Sequence, residues 1–134
     1  MLLPHGTVVA VVDGSKFNLF RNAGNEVAPE LTPMLSPKLD EHNKEAGSRH
    51  YSSPGNPTGH QLSEDAHAAA VAGWLNDEVI AHKVQHLVVI AAPRTLGELR
   101  RHYSKSVQGA LVGELHKDLA GRSGRDILEA LQEH

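Results

Sequence analysis

Thr7-Val8-Val9-Ala10-Val11-Val12-Asp13-Gly14-Ser15-Lys16-Phe17-Asn18-Leu19-Phe20-Arg21 decides the fold. Thr7 to Val12 is nearly unbroken apolar and β-branched, the pattern of a strand covered on both faces. Asp13-Gly14 follows, a dipeptide suited to the positive φ angles of a tight hairpin. Lys16 to Arg21 then reads as a second strand, with Phe17 and Leu19 on one face and Asn18 and Phe20 on the other. Asn22-Ala23-Gly24-Asn25 is another turn signal, and Glu26 to Leu31 reads as a third strand. Pro29 falls inside it, and proline cannot donate to a ladder, so this strand belongs at an edge or is bulged.

The composition changes after this meander. Ser36 to Gln61 is dominated by Pro, Gly, Ser, Asn, His and charges, and six of the seven prolines precede Thr58. The segment reads as a long polar loop, the kind of excursion that is usually functional or disordered. Order returns at Ser63, a good N-cap, with Glu64 and Asp65 set against the positive helix start. His67, Val71, Trp74, Leu75 and Val79 fall on one side of that helix. Leu87 to Ala92 is a buried strand. Thr95 and Glu98 have capping-box spacing and open a helix through about Ser106. Leu111 to Leu115 is a fifth strand, and Ser123 with Asp126 caps a last helix whose stripe is Ile127, Leu128 and Leu131. The order is β-β-β-α-β-α-β-α, an α/β fold with a mixed five-stranded sheet, ribonuclease-H-like in its succession of elements.

The chain has 134 residues, which fits a single domain over 1–134. Thirteen Lys and Arg against 16 Asp and Glu leave a net charge of −3, which excludes a globally basic nucleic-acid binder but not a local basic patch. No cysteine is present, so disulfides, thiolate zinc sites and cysteine nucleophiles are excluded. No apolar stretch is long enough for membrane insertion. The N-terminus lacks the basic and apolar regions of a secretory signal, so the expected location is the cytoplasm. Ten histidines make the net charge sensitive to pH just below neutrality.

No catalytic constellation emerges. Two-metal nuclease chemistry needs several convergent carboxylates. Asp13 ends the first strand, but Val89-Ile90-Ala91-Ala92-Pro93 offers no acid beside it, and Asp13 next to Gly14 also serves as a turn former. Glu64, Asp65, Asp77 and Glu78 lie on the first helix. His42, His50 and His60, near Asp40 and Glu41, lack compact zinc-ligand spacing, and His82 and His86 flank the approach to a strand. No nucleophile elbow or phosphate-cradling glycine motif is present. The expectation is therefore no catalytic residue, no metal and no cofactor.

The most specific cluster is Pro93-Arg94-Thr95-Leu96-Gly97-Glu98-Leu99-Arg100-Arg101-His102-Tyr103-Ser104-Lys105. It begins at the carboxyl end of a central strand, where crevices of open α/β sheets bind ligands. Arg94, Arg100, Arg101 and Lys105 set four cations against the carboxylate of Glu98. The cluster is either an anion-binding surface or a solvated helix face seated by Leu96 and Leu99. Lys117-Asp118 is either a neighbouring charged pair or an ordinary exposed one.

Three stretches carry a family resemblance. They are Leu2-Leu3-Pro4-His5-Gly6-Thr7 leading to Val12-Asp13-Gly14-Ser15 and Leu19-Phe20-Arg21-Asn22, then Ala92-Pro93-Arg94-Thr95-Leu96-Gly97-Glu98-Leu99-Arg100, then Val112-Gly113-Glu114-Leu115-His116-Lys117-Asp118-Leu119. With Trp74-Leu75-Asn76, they resemble the bacterial host attachment protein family over nearly the whole chain. Ala92 stands where that family often has proline, and Leu115-His116 replaces a more usual Ile-Asp pair. The family is distantly similar to the middle domain of archaeal and eukaryotic peptide-chain release factors. In those factors a loop between the third strand and the first long helix carries Gly-Gly-Gln, which promotes peptidyl-tRNA hydrolysis. The loop here ends Gly59-His60-Gln61, with His60 in place of the second glycine. The resemblance implies a cytoplasmic, non-enzymatic protein that binds an RNA, ribosomal or protein partner through the loop and the Arg94–Lys105 surface, affecting attachment indirectly. The expected binding residues are Arg94, Arg100, Arg101, Lys105, Lys117, Asp13 and Gln61. The alternatives are a release-factor-like hydrolase in which Gln61 orients water, and an assembly protein that forms a homodimer through the third strand's edge.

Overall fold

The computed structural model describes residues 1–39 and 59–134. Its strands are β1 (Val8–Val12), β2 (Phe17–Asn22), β3 (Leu31–Met34), β4 (Leu87–Ala91) and β5 (Leu111–Leu115). Four helices lie among the described residues: α1 (Gly59–Ile80), α2 (Pro93–Arg100), α3 (Lys105–Ala110) and α4 (Gly124–Gln132). The strands form one mixed sheet in the order β3-β2-β1-β4-β5. β1 and β2 pair antiparallel, as do β2 and β3, whereas β4 runs parallel to both β1 and β5. This is the α/β architecture that the succession of elements predicts.

The uninterrupted apolar runs of β1 and β4 have the expected cause, because both faces of these central strands are covered. On one face Val8, Ala10, Val12, Val89 and Ala91 pack with Val71 and Leu75 of α1, Leu96 and Leu99 of α2, and Val107 of α3. On the other, Val9, Val11, Val88 and Ile90 meet Ile127 and Leu131 of α4. The α1 stripe is as expected: Val71 and Leu75 are fully buried, His67 and Val79 nearly so. Trp74 stands edge-on to Phe17, with ring centroids 5.5 Å apart.

Several boundaries differ from the sequence expectations. Glu26 to Glu30 is a loop, and the third strand starts at Leu31, which pairs with Asn22. Side chains hold that loop instead of a ladder. Asn25 Oδ1 accepts the Val27 and Ala28 amides at 3.0 and 2.8 Å, and Asn22 Oδ1 accepts those of Gly24 and Glu30, both at 2.9 Å. The strand is at the sheet edge as expected, but Pro33 is the proline within it. The Asp13-Gly14 turn uses no positive φ: among the described glycines only Gly6 and Gly121 have one. Asp13 Oδ1 closes the turn by accepting the Ser15 and Lys16 amides. Gly14 packs closely against Glu64: a Cβ there would meet the far end of that side chain at 2.5 Å, a contact that a shift of Glu64 relieves.

α1 begins at Gly59, so Ser63 lies inside it and is not its cap, and Gln61 belongs to its first turn instead of to a loop. The rest of the expected loop, residues 40–58, together with His42, His50, Asp40 and Glu41, lies outside the described residues. Thr95 and Glu98 form no capping box. α2 starts two residues earlier, at Pro93, with Ala92 as a cap that has no side-chain bond. Proline at the first helical position needs no partner for a missing N–H, and that sets the earlier start. The helix expected through Ser106 is broken at Arg100. Asn76 of α1 donates to the His102 carbonyl and accepts the Ser104 amide, both at 2.9 Å, and Ser104 then caps α3 through the Val107 amide. Ser123 caps α4 as expected, accepting the Asp126 amide.

Candidate functional site

The parallel strands β1, β4 and β5 deliver their carboxyl ends to one edge of the sheet, where Asp13, Pro93-Arg94 and His116-Lys117 follow them. Beside β1, α1 seats the hairpin. Glu64 lies against Gly14, and the buried His67 ring has Nε2 3.1 Å from the Lys16 carbonyl. Asp13 spends one carboxylate oxygen on its own turn. Among the described residues no three His, Asp or Glu side chains gather in a way that could hold a metal ion.

α2 distributes its cations to different neighbours. Arg94 reaches back to Asp65 of α1 at 3.4 Å. Arg101 and His102, just past the end of α2, both lie 3.4 Å from Glu98 in its last turn. Arg100 crosses to β5, where Nε and Nη2 both donate to Glu114 Oε1, at 3.1 and 2.8 Å. The Tyr103 hydroxyl approaches the other oxygen of Glu114 at 3.4 Å. The hydrogen bond and charge of Glu114 raise the pKa of Arg100 above its usual value. Burial pushes the Tyr103 phenol well above its ordinary range, and the Glu114 charge adds to the shift. Lys105 and Lys117 are exposed and make no ion pair among the described residues.

The basic cluster therefore stands in a mesh of carboxylates. Its arginines remain largely exposed, at 58% for Arg94, 57% for Arg100 and 74% for Arg101, so each still presents donors to solvent. Sequence reasoning missed Glu114, Tyr103 and Asn76. Glu114 and Asn76 lie inside stretches that carry the family resemblance and Tyr103 inside the basic cluster, but nothing in local spacing links Arg100 to a residue fourteen positions on.

Between α2 and the end of β5 these residues enclose a hollow of about 420 Å³, lined by Pro93, Leu96, Arg100, Glu114 and His116. It has the size of a small-ligand site and lies where open α/β sheets place such sites. A hollow of about 410 Å³ between α1 and α3, bordered by Ile80, His82 and Ser106, lies away from this edge.

One family model matches the chain, that of bacterial archaeo-eukaryotic release factor family 12, over residues 6–131. The chain belongs to that family. The match names the release-factor relationship and not host attachment, and no curated protein matches the chain.

Proposed function

We propose that this member of the release-factor family acts in translation by binding RNA, on the ribosome or a ribosome-associated RNA, without chemistry of its own. The family match across residues 6–131 carries the reading. The exposed Arg94, Arg100, Arg101, Lys105 and Lys117 around α2 and the end of β5 supply the contact surface, with Asp13 at its border. Because Asp65, Glu98 and Glu114 already accompany the arginines, few counterions are released on binding, and the salt dependence is shallow. Such work belongs in the cytoplasm, and any effect on attachment to host cells follows from translation, not from contact with a host surface. A homodimer through β3 is disfavoured by the strand itself, which has four residues and contains Pro33.

Copurification of the untagged protein with ribosomes at low and high salt, followed by filter binding to the retained RNA, tests the reading. Replacing Arg94, Arg100 and Arg101 together with Ala weakens RNA binding and flattens its salt dependence. The loss exceeds that of three contacts, because three carboxylates are left uncompensated at the interface. Binding that is unchanged in the triple variant across a salt titration removes this surface from the function. The release-factor relationship also keeps a hydrolase in view. Peptidyl-tRNA cleavage above background that disappears in Gln61→Ala replaces the binding reading with a catalytic one.

A further inference from the structure

We propose that the hollow between α2 and the end of β5 seats one unstacked nucleotide of a single-stranded RNA, with the base against the Arg100 guanidinium and the phosphate on its remaining N–H donors. The proposal rests on the RNA-binding reading and names the kind of RNA. The chain carries a net charge of −3, and its α2 arginines are each accompanied by a carboxylate. Long-range attraction to a duplex backbone is therefore weak, and affinity has to come from short-range contacts.

The hollow supplies them. Leu96, 3% exposed, and the Pro93 ring give an apolar floor. The Arg100 guanidinium is one wall, and its two bonds to Glu114 Oε1 hold the plane before any ligand arrives. Glu114 is itself steadied by Tyr103 on its second oxygen. A guanidinium held flat stacks on a base with little further loss of side-chain freedom, which a loose lysine cannot do. Its unused donors remain for a phosphate oxygen. His116, exposed and without a hydrogen bond among the described residues, offers a second ring at the rim. Bases inside a duplex cannot enter such a hollow, whereas splayed bases of single strands are bound by stacking of this kind.

The test is fluorescence anisotropy of the full chain with a fluorescein-labelled single-stranded RNA of about 12 nucleotides, and with the same strand in a duplex. Four proteins are compared: wild type, Arg100→Lys, His116→Ala and Arg125→Ala, the last on α4 and 90% exposed. The expected result is single strand bound about tenfold or more tighter than duplex. Arg100→Lys and His116→Ala each lose about fivefold or more, the lower end of what one base stack contributes. Arg100→Lys keeps its charge, so its salt slope stays that of wild type, and Arg125→Ala binds as wild type does. His116→Ala removes no hydrogen bond, so it carries the test if Arg100→Lys fails to fold. Equal affinity for duplex, or wild-type affinity in both hollow variants, overturns the proposal and leaves RNA binding intact. A nucleoside 5′-monophosphate that binds as tightly as the strand also overturns it, assigning the hollow to a free nucleotide. No binding to any RNA overturns this proposal and the broader reading together.

Discussion

Asn22→Ala tests how the N-terminal stretch and the hairpin loop are held together. Asn22 is fully buried at the end of β2. Its Nδ2 donates to the Leu3 carbonyl at 2.8 Å, with longer contacts to those of Pro4 and Asn25, and its Oδ1 accepts the Gly24 and Glu30 amides. Alanine removes all of these. The Pro4 carbonyl keeps Thr7 as a donor, and Gly24 and Glu30 lie near enough to the surface for water to replace part of the loss. The Leu3 carbonyl, in a residue 1% exposed, loses the side-chain donor it had. One stranded buried acceptor and two partly rescued donors together cost about 3 kcal/mol. At this chain length that lowers Tm by roughly 10 °C. Urea and thermal unfolding followed by circular dichroism measure it. Asn22→Asp is the control, since it keeps the acceptor for both amides but cannot donate while ionised. Burial among carbonyls raises the pKa of the folded carboxyl above the unfolded value of about 4, so the deficit relative to wild type shrinks as pH falls toward about 4 and the carboxyl gains a proton to donate. An Asn22→Ala loss under about 1 kcal/mol, or an Asp deficit independent of pH, refutes the assignment of these bonds as the fastening.

Two further outcomes follow from particular contacts. The folded state raises the Tyr103 pKa above its ordinary 10.0, chiefly through burial and then through Glu114, so the neutral phenol is the form that stabilises the fold. That contribution is complete below pH 10.0 and declines as pH rises beyond it. Urea unfolding at stepwise pH shows wild type losing more stability than Tyr103→Phe above this point, and parallel curves for the two would contradict it. Gly24→Ala places a Cβ 2.1 Å from the Ala28 carbonyl oxygen, a backbone atom that cannot swing aside. It costs about 2–3 kcal/mol in urea unfolding. Gly14→Ala, facing the movable end of Glu64, costs clearly less; equal losses would count against the distinction.

The apolar runs Thr7–Val12 and Leu87–Ala92, the alternation in Lys16–Arg21 and the Val71/Leu75 stripe were legible because burial against a sheet imposes a local period on the chain. The same holds for Ser123, whose capping bond spans three residues. The position of the third strand was not legible, since Asn22 and Asn25 claim amides that would otherwise enter a ladder. Nor was the break between α2 and α3, which depends on an asparagine 26 and 28 residues away. The basic cluster was visible as a list of charges, but its electrostatic character was not. Arg94 meets an acid 29 residues earlier and Arg100 one 14 residues later.

The sequence by itself determined the central strands, the hairpin strand beside them and the buried faces of these segments, because hydrophobic periodicity is written into consecutive residues. Only the tertiary structure decided where the helices end and which arginine faces which carboxylate. Those outcomes depend on directional bonds between side chains that meet only after the chain has folded.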